Sequence, residues 1–152
     1  CDPYNADAIE RLNEIKLRPA NKYFILLAGN IEQIRPLLLL SKEQEATISN
    51  NTEPTSWIID ASPDAPAWLV SDSGTITVRI SKQHDVQRLC HALGHAIIST
   101  SANISGKTPA KNSLQLHRYF HGRVDKIIAS NKKLDARASK IIRLCDNHVI
   151  RG

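Results

Sequence analysis

Methionine is missing from all 152 residues, the first included. A native gene product begins with one, so the sequence is expected to be a fragment, or a trimmed or renumbered chain. Aromatic residues make up 5%, too few for the interleaved Lys and aromatic pattern that stacks bases along a nucleic-acid strand. The three cysteines, Cys1, Cys90 and Cys145, are widely separated with no Cys-x-x-Cys pair. An odd, scattered set argues for reduced thiols in a cytosolic protein, and against a disulfide scaffold or a zinc site. Cys90 falls in a helical apolar pattern and is expected to be a small core residue. No apolar run approaches the roughly 20 residues that span a bilayer, and the Cys-Asp-Pro opening is not a signal peptide. The sequence also lacks a Gly-x-x-x-x-Gly-Lys loop, any Ser-His-Asp or Cys-His set at a telling spacing, internal repeats and low-complexity segments.

What is present fits one compact domain spanning residues 1–152, with 41% hydrophobic and 23% charged residues. Twenty basic against fifteen acidic residues give a formal charge of +5, which attracts polyanions.

Asn5 reads as the N-cap of a helix carrying Ile9, Leu12 and Ile15, stopped by Pro19. Tyr23 to Ala28 is a buried strand. Asn30 with Gln33 looks like the start of another helix, interrupted at Pro36. Ser41 to Thr55 reads as a helix end and an exposed loop. Trp57 to Asp60 is a short strand, Asp72-Ser73-Gly74 a turn, and Thr75 to Ile80 a strand with Arg79, Thr75 and Thr77 on its polar face. Val86, Leu89, Cys90 and Leu93 stripe a helix ended by Gly94. His84, His91 and His95 lie near it without acidic or Cys ligands at a recognised spacing, and are read as surface or helix-end histidines. Asn112 or Ser113 caps a helix to about His121. Val124 to Ala129 and Ser139 to Leu144 read as strands around a basic stretch with Lys132, Lys133 and Arg137, and His148 to Arg151 as a last strand after an Asp146-Asn147 turn. Helices and strands interleave while the late strands follow closely, so an α/β fold with a mixed sheet flanked by helices is expected.

The chemistry-bearing stretch is Ile97 to Pro109. It passes from an apolar strand through Ser99-Thr100-Ser101-Ala102-Asn103 into a Gly and Pro loop. Short polar groups there suit phosphate or carboxylate oxygens; they equally suit a turn that satisfies only its own backbone. Lys16 and Arg18 at a helix end are either dipole partners or a phosphate clamp. Arg79 is either a solvated arginine on a sheet face or a bidentate partner for a carboxylate.

Ser-Thr-Ser-Ala-Asn followed by Ile-Ser-Gly-Lys resembles the Ser-Ala-Asn signature of the YrdC family, the threonylcarbamoyl-AMP synthases. Lys16-Leu17-Arg18-Pro19, with Lys22 behind it, resembles that family's Lys-x-Arg-Pro segment, and Thr75-Ile76-Thr77-Val78-Arg79 its Thr-Val-Ala-Val-Arg strand. The resemblance runs from Cys1 to Gly152 and is nearest to the short bacterial TsaC branch, and it implies that the family's first helix and strand precede Cys1. The pattern departs in two places: Trp-Pro-Gly-Pro-x-Thr is Asn51-Thr52-Glu53-Pro54-Thr55-Ser56, and Pro-Ser-Thr-Ile is Ala138-Ser139-Lys140-Ile141.

The resemblance implies a nucleotidyltransferase that joins L-threonine, bicarbonate and ATP into threonylcarbamoyl-AMP and pyrophosphate, for the t6A modification of tRNA. Lys16 and Arg18 would neutralise the triphosphate, and Thr75, Ser101, Asn103 and Arg151 would complete the ATP site. Arg79, Ser99 and Ser139 would bind threonine. No side-chain nucleophile is needed, Mg²⁺ is expected with ATP on the nucleotide's own oxygens, and a t6A-transferring protein complex would take the product. The alternatives are a non-catalytic module that holds double-stranded RNA or tRNA on a basic surface, and a nucleotide-binding structural subunit.

Overall fold

The computed structural model describes residues 1–18, 23–128 and 139–151; the basic stretch with Lys132, Lys133 and Arg137 lies outside the described residues. Among the described residues six strands form one sheet: β1 (Ile25–Ala28), β2 (Thr55–Asp60), β3 (Thr75–Ile80), β4 (Ile97–Ser99), β5 (Lys140–Arg143) and β6 (His148–Arg151), in the order β4-β1-β3-β2-β5-β6. The β1/β3 and β2/β5 pairs are parallel and the other three antiparallel, giving the expected mixed sheet. The described helices are α1 (Ala6–Lys16), α2 (Lys42–Asn50), α3 (His84–Leu93) and α4 (Ser113–Phe120). None is long and apolar enough to cross a membrane.

The three strands at one side of the sheet bury every second residue. Leu26 and Ala28 of β1, Ile76 and Val78 of β3 and Ile98 of β4 are buried, while Ile25, Leu27, Thr75, Thr77, Arg79, Ile97 and Ser99 are only half covered. The buried face joins Trp57 and Ile59 of β2, Ile9 of α1 and Ile48 of α2 in one apolar cluster. The remaining face of these strands is left with polar groups on β3 and β4, which is where a ligand can meet the backbone scaffold.

Capping explains most helix limits. The Asn5 side chain accepts the Ala8 N–H at 3.0 Å, and Asn112 accepts that of Gln115 at 2.9 Å. Gly94 ends α3 at φ 76°, a conformation that costs glycine nothing. Cys90 is fully buried, as expected of a small core residue, and its Sγ lies 3.5 Å from the Leu27 carbonyl. Leu89 and Leu93, expected on the same buried stripe, are nearly half exposed.

Three expectations are corrected. Residues 42–50 are helical, because Ser41 and Gln44 close a reciprocal capping box that the polar composition of this segment obscured. Asn30 does accept the Gln33 N–H at 3.2 Å, yet no α-helix follows: the Gln33 amide instead bridges the Gly29 N–H and the Cys90 carbonyl, and the chain makes only a 3₁₀ turn at Arg35–Leu37. Residues 124–128 pair with no strand among the described residues, and Asp125 instead holds Arg11 of α1 at 3.0 and 3.1 Å.

The two-faced sheet yields a direct test. Ile76→Ala should cost about 2–5 kcal/mol, whereas Thr77→Ala on the open face should cost under about 1 kcal/mol, as measured by urea unfolding at constant m-value.

Candidate functional site

Strand register assembles the polar face row by row. Ser99 stands opposite Ile25, Ile25 opposite Thr77, and Thr77 opposite Ile58; the neighbouring row runs Ile97, Leu27, Arg79. Side chains alternate along each strand, so Arg79 shares a face with Thr75, Thr77 and Ser99. At one end of this region a cavity of about 510 Å³ opens, lined by Arg79, Ser99, Leu27, Lys82 and the turn Asn51–Thr55 among others. Arg79 Nε is buried without a hydrogen-bond partner among the described residues. A buried donor is normally satisfied, and a carboxylate presented to the guanidinium would satisfy it in fork geometry.

Beyond β4 the chain enters the Ser101–Pro109 loop, and α1 supplies its brace. Lys16 is only 4% exposed; its ammonium donates to the carbonyl oxygens of Ser101 and, at 2.7 Å, Asn103. The Lys16 carbonyl in turn accepts the Ser105 N–H at 2.8 Å. Asn103 Nδ2 donates to the carbonyls of Ile104 and Lys107 at 3.0 and 2.8 Å, closing the loop on itself. Burial, and then the neighbouring Arg18 charge, hold the Lys16 pKa below its usual value.

The chain reaches Arg18 through Leu17, which adopts a left-handed φ of 48°. The Arg18 N–H returns to the Asn13 carbonyl at 2.9 Å, the capping geometry that reverses a chain after a helix. Arg18 Nη1 then donates to Thr100 Oγ1 at 3.1 Å and Nη2 to the Tyr23 carbonyl at 2.7 Å, with the guanidinium carbon 4.3 Å from the Phe24 ring centre. Its Nε is buried without a partner among the described residues, and burial lowers its pKa. Lys16 and Arg18 thus rest on neutral oxygens, which orient a cation without cancelling its charge. The positive potential remains available to an anion.

Ser139 and Arg151 meet beside the start of β2, whose Thr55 lines the cavity. Ser139 is buried with its Oγ 2.9 Å from Ser56 Oγ, and its carbonyl accepts from Arg151 Nε and Nη2 at 3.2 and 3.0 Å. Thr75 begins β3, four residues before Arg79, and shares a hydroxyl cluster with Ser71 and Ser73 at 2.8 and 3.2 Å. The structure therefore brings Arg79 and Ser99 to one cavity, Lys16, Arg18, Ser101 and Asn103 to one loop, and Ser139 and Arg151 to one corner, with Thr75 apart from all three. Sequence reasoning missed Ser56, the hydroxyl surviving in the altered turn, as well as Glu53 and Lys82, which carry no local signal.

The model of the Sua5/YciO/YrdC family, described as "Telomere recombination", matches residues 1–151. The chain belongs to this family. It is 35% identical to the threonylcarbamoyl-AMP synthase of Marinobacter nauticus, over 93% of this chain and 76% of the relative. It is likewise 35% identical to that of Thiobacillus denitrificans, over 100% of this chain and 81% of the relative. Among solved structures, P. abyssi Sua5 complexed with L-threonine superposes with a TM-score of 0.85 at 24% identity, over 95% of this chain and 43% of Sua5. E. coli YciO gives 0.84 at 23% identity, over 99% and 75%. These two likenesses show the family's α/β fold.

The Lys16 brace makes a prediction of its own. Lys16→Met keeps the aliphatic stem but strands the Ser101 and Asn103 carbonyls, so it should lower stability by about 1.5–3 kcal/mol. Thermal unfolding measures the loss, and faster amide exchange in residues 101–107 locates it.

Proposed function

We propose that the chain makes L-threonylcarbamoyladenylate and pyrophosphate from L-threonine, bicarbonate and ATP, supplying the t6A modification of tRNAs that read ANN codons. The observation that carries this reading is Arg79: a guanidinium with a buried, unpartnered Nε faces a cavity shared with Ser99, and Ser99 leads directly into the loop that Lys16 and Arg18 brace. The proposed carboxylate site at Arg79 and Ser99 and the proposed anion-holding loop that starts at Ser101 thus follow one another along the chain. The synthase names of the relatives and the threonine complex of Sua5 support the same substrate class.

In this reading Arg79 takes the threonine carboxylate, with Ser99 and Ser139 completing that pocket. Lys16, Arg18, Ser101 and Asn103 receive the triphosphate, and Thr75 and Arg151 approach the nucleotide. The neutral threonine amine adds to the carbon of bicarbonate and water leaves, giving a carbamate; a carbamate oxygen then attacks the α-phosphorus as the bond to pyrophosphate breaks. No side chain forms a covalent bond. The protein contributes alignment and cationic stabilisation of charge that develops on the phosphate oxygens. Among the described residues no group of three or more His, Cys, Asp or Glu could hold a metal; Mg²⁺ would come with ATP, on the nucleotide's own oxygens, and lower their charge. The product would pass to a t6A-transferring protein complex, and the +5 charge favours encounters with ATP and tRNA.

Pyrophosphate release by the purified chain should require threonine, bicarbonate and ATP together. Arg79→Ala should raise the threonine KM by about 30- to 100-fold, the loss of a charge-assisted fork, with a much smaller effect on the ATP KM. Release that is absent from the unsubstituted chain, alongside RNA binding with a steep salt dependence, would return the reading to a non-catalytic RNA-binding module.

A further inference from the structure

The two departures from the family's sequence pattern meet in space. Glu53, in the altered turn before β2, reaches Lys140, the first residue of β5, with Oε2 2.5 Å from Nζ. Thr55 and Lys140 are register partners across the parallel pair, and Asn51 Nδ2 donates to the Glu53 carbonyl at 2.8 Å, so the turn is fixed beside the strand. Both side chains remain at least half exposed, and an ion pair so exposed is weak and readily exchanged.

Glu53 also lines the cavity that holds Arg79. Among the described residues lining it, Glu53 is the sole carboxylate, and Arg79 and Lys82 are the cations. A zwitterionic α-amino acid needs one partner of each sign, and a charge left unpaired in a partly desolvated site is costly. Resting on the reading that this cavity takes an amino acid, we propose that Glu53 binds the substrate's α-ammonium, exchanging Lys140 for it as the substrate carboxylate settles on Arg79. Lys140 holds the carboxylate in place at the cavity mouth until that exchange. The contact belongs to binding, since the amine must be neutral before it can be carboxylated, so Glu53 governs affinity and selectivity for the amino acid rather than the later bond-making step.

Calorimetric titration of the full chain with L-threonine and with 3-hydroxybutyrate, which keeps the carboxylate and hydroxyl but lacks the amine, tests this. Glu53→Gln should weaken threonine binding about tenfold and leave 3-hydroxybutyrate unchanged. In turnover it should raise the threonine KM with kcat retained. Lys140→Met should tighten threonine binding roughly threefold, because a competitor for the carboxylate is gone. If Lys140→Met weakens threonine as much as Glu53→Gln does, or if Glu53→Gln weakens both ligands alike, the pair is only a strap across the turn and the proposal is overturned. If the unsubstituted chain binds neither ligand, the amino-acid reading of the cavity fails with it. That outcome is distinct from one in which the unsubstituted chain and Glu53→Gln bind threonine equally, which sinks the Glu53 role alone.

Discussion

A side chain on a strand has two faces to choose from, and in β1, β3 and β4 that choice governs everything built on the sheet. Leu26, Ala28, Ile76, Val78 and Ile98 go into the core, and that burial supplies the main force holding short strands of three to six residues together. A one-residue slip of β3 would drive Arg79 and two threonines into that core, at the cost of burying a charge and two hydroxyls. Register is therefore fixed by the core, and the position of Arg79 relative to Ser99 follows from it. The precision of the polar face is inherited from the apolar one.

The second constraint concerns the cations. Lys16 and Arg18 are both substantially buried, a placement that normally demands a carboxylate. Carboxylates would have satisfied them and also neutralised them. Carbonyl and hydroxyl oxygens satisfy the donors and leave the charge, at the expense of the depressed affinity for protons that both groups show. The polyanion site proposed at these residues would gain from that arrangement, because the stabilising charge is preorganised and does not first have to be freed from a protein anion.

Much of this was readable from residue order. The alternation of Thr75 to Ile80 gave the face of Arg79 directly, and the Asn5, Gly94 and Asn112 punctuation gave three helix limits. The Ser-Ala-Asn and Lys-x-Arg-Pro segments pointed to the family, and their joint position at one loop is what the fold adds. What could not be read depends on partners distant in sequence. Gln33 looked like a capping residue because its competing acceptor, the Cys90 carbonyl, lies 57 positions away. Residues 124–128 had strand composition, but their position follows a distant partner, Arg11 of α1, which Asp125 holds, and helix α2 was hidden by a polar composition that its capping box overrides. Lys16 read as a helix-end charge, either a dipole partner or a phosphate clamp, since nothing local announces that a loop 85 residues downstream will cover it.

That covering explains how the loop, a positioning device in the proposed reaction, is held at all. Ser101, Ala102, Gly106, Lys107, Thr108 and Pro109 are all exposed, so apolar burial contributes little to holding them. Hydrogen bonds must do so instead, and an exposed loop bond is worth only about 1 kcal/mol. Lys16 and Asn103 concentrate four such bonds on carbonyls spread from Ser101 to Lys107, and one of the two anchors is a charge shielded from water, where its bonds are stronger. A catalyst without a nucleophile, as proposed for this chain, would depend on where its donors point. The direction of the loop donors is set by one buried ammonium at the end of a helix whose own position is fixed by the core.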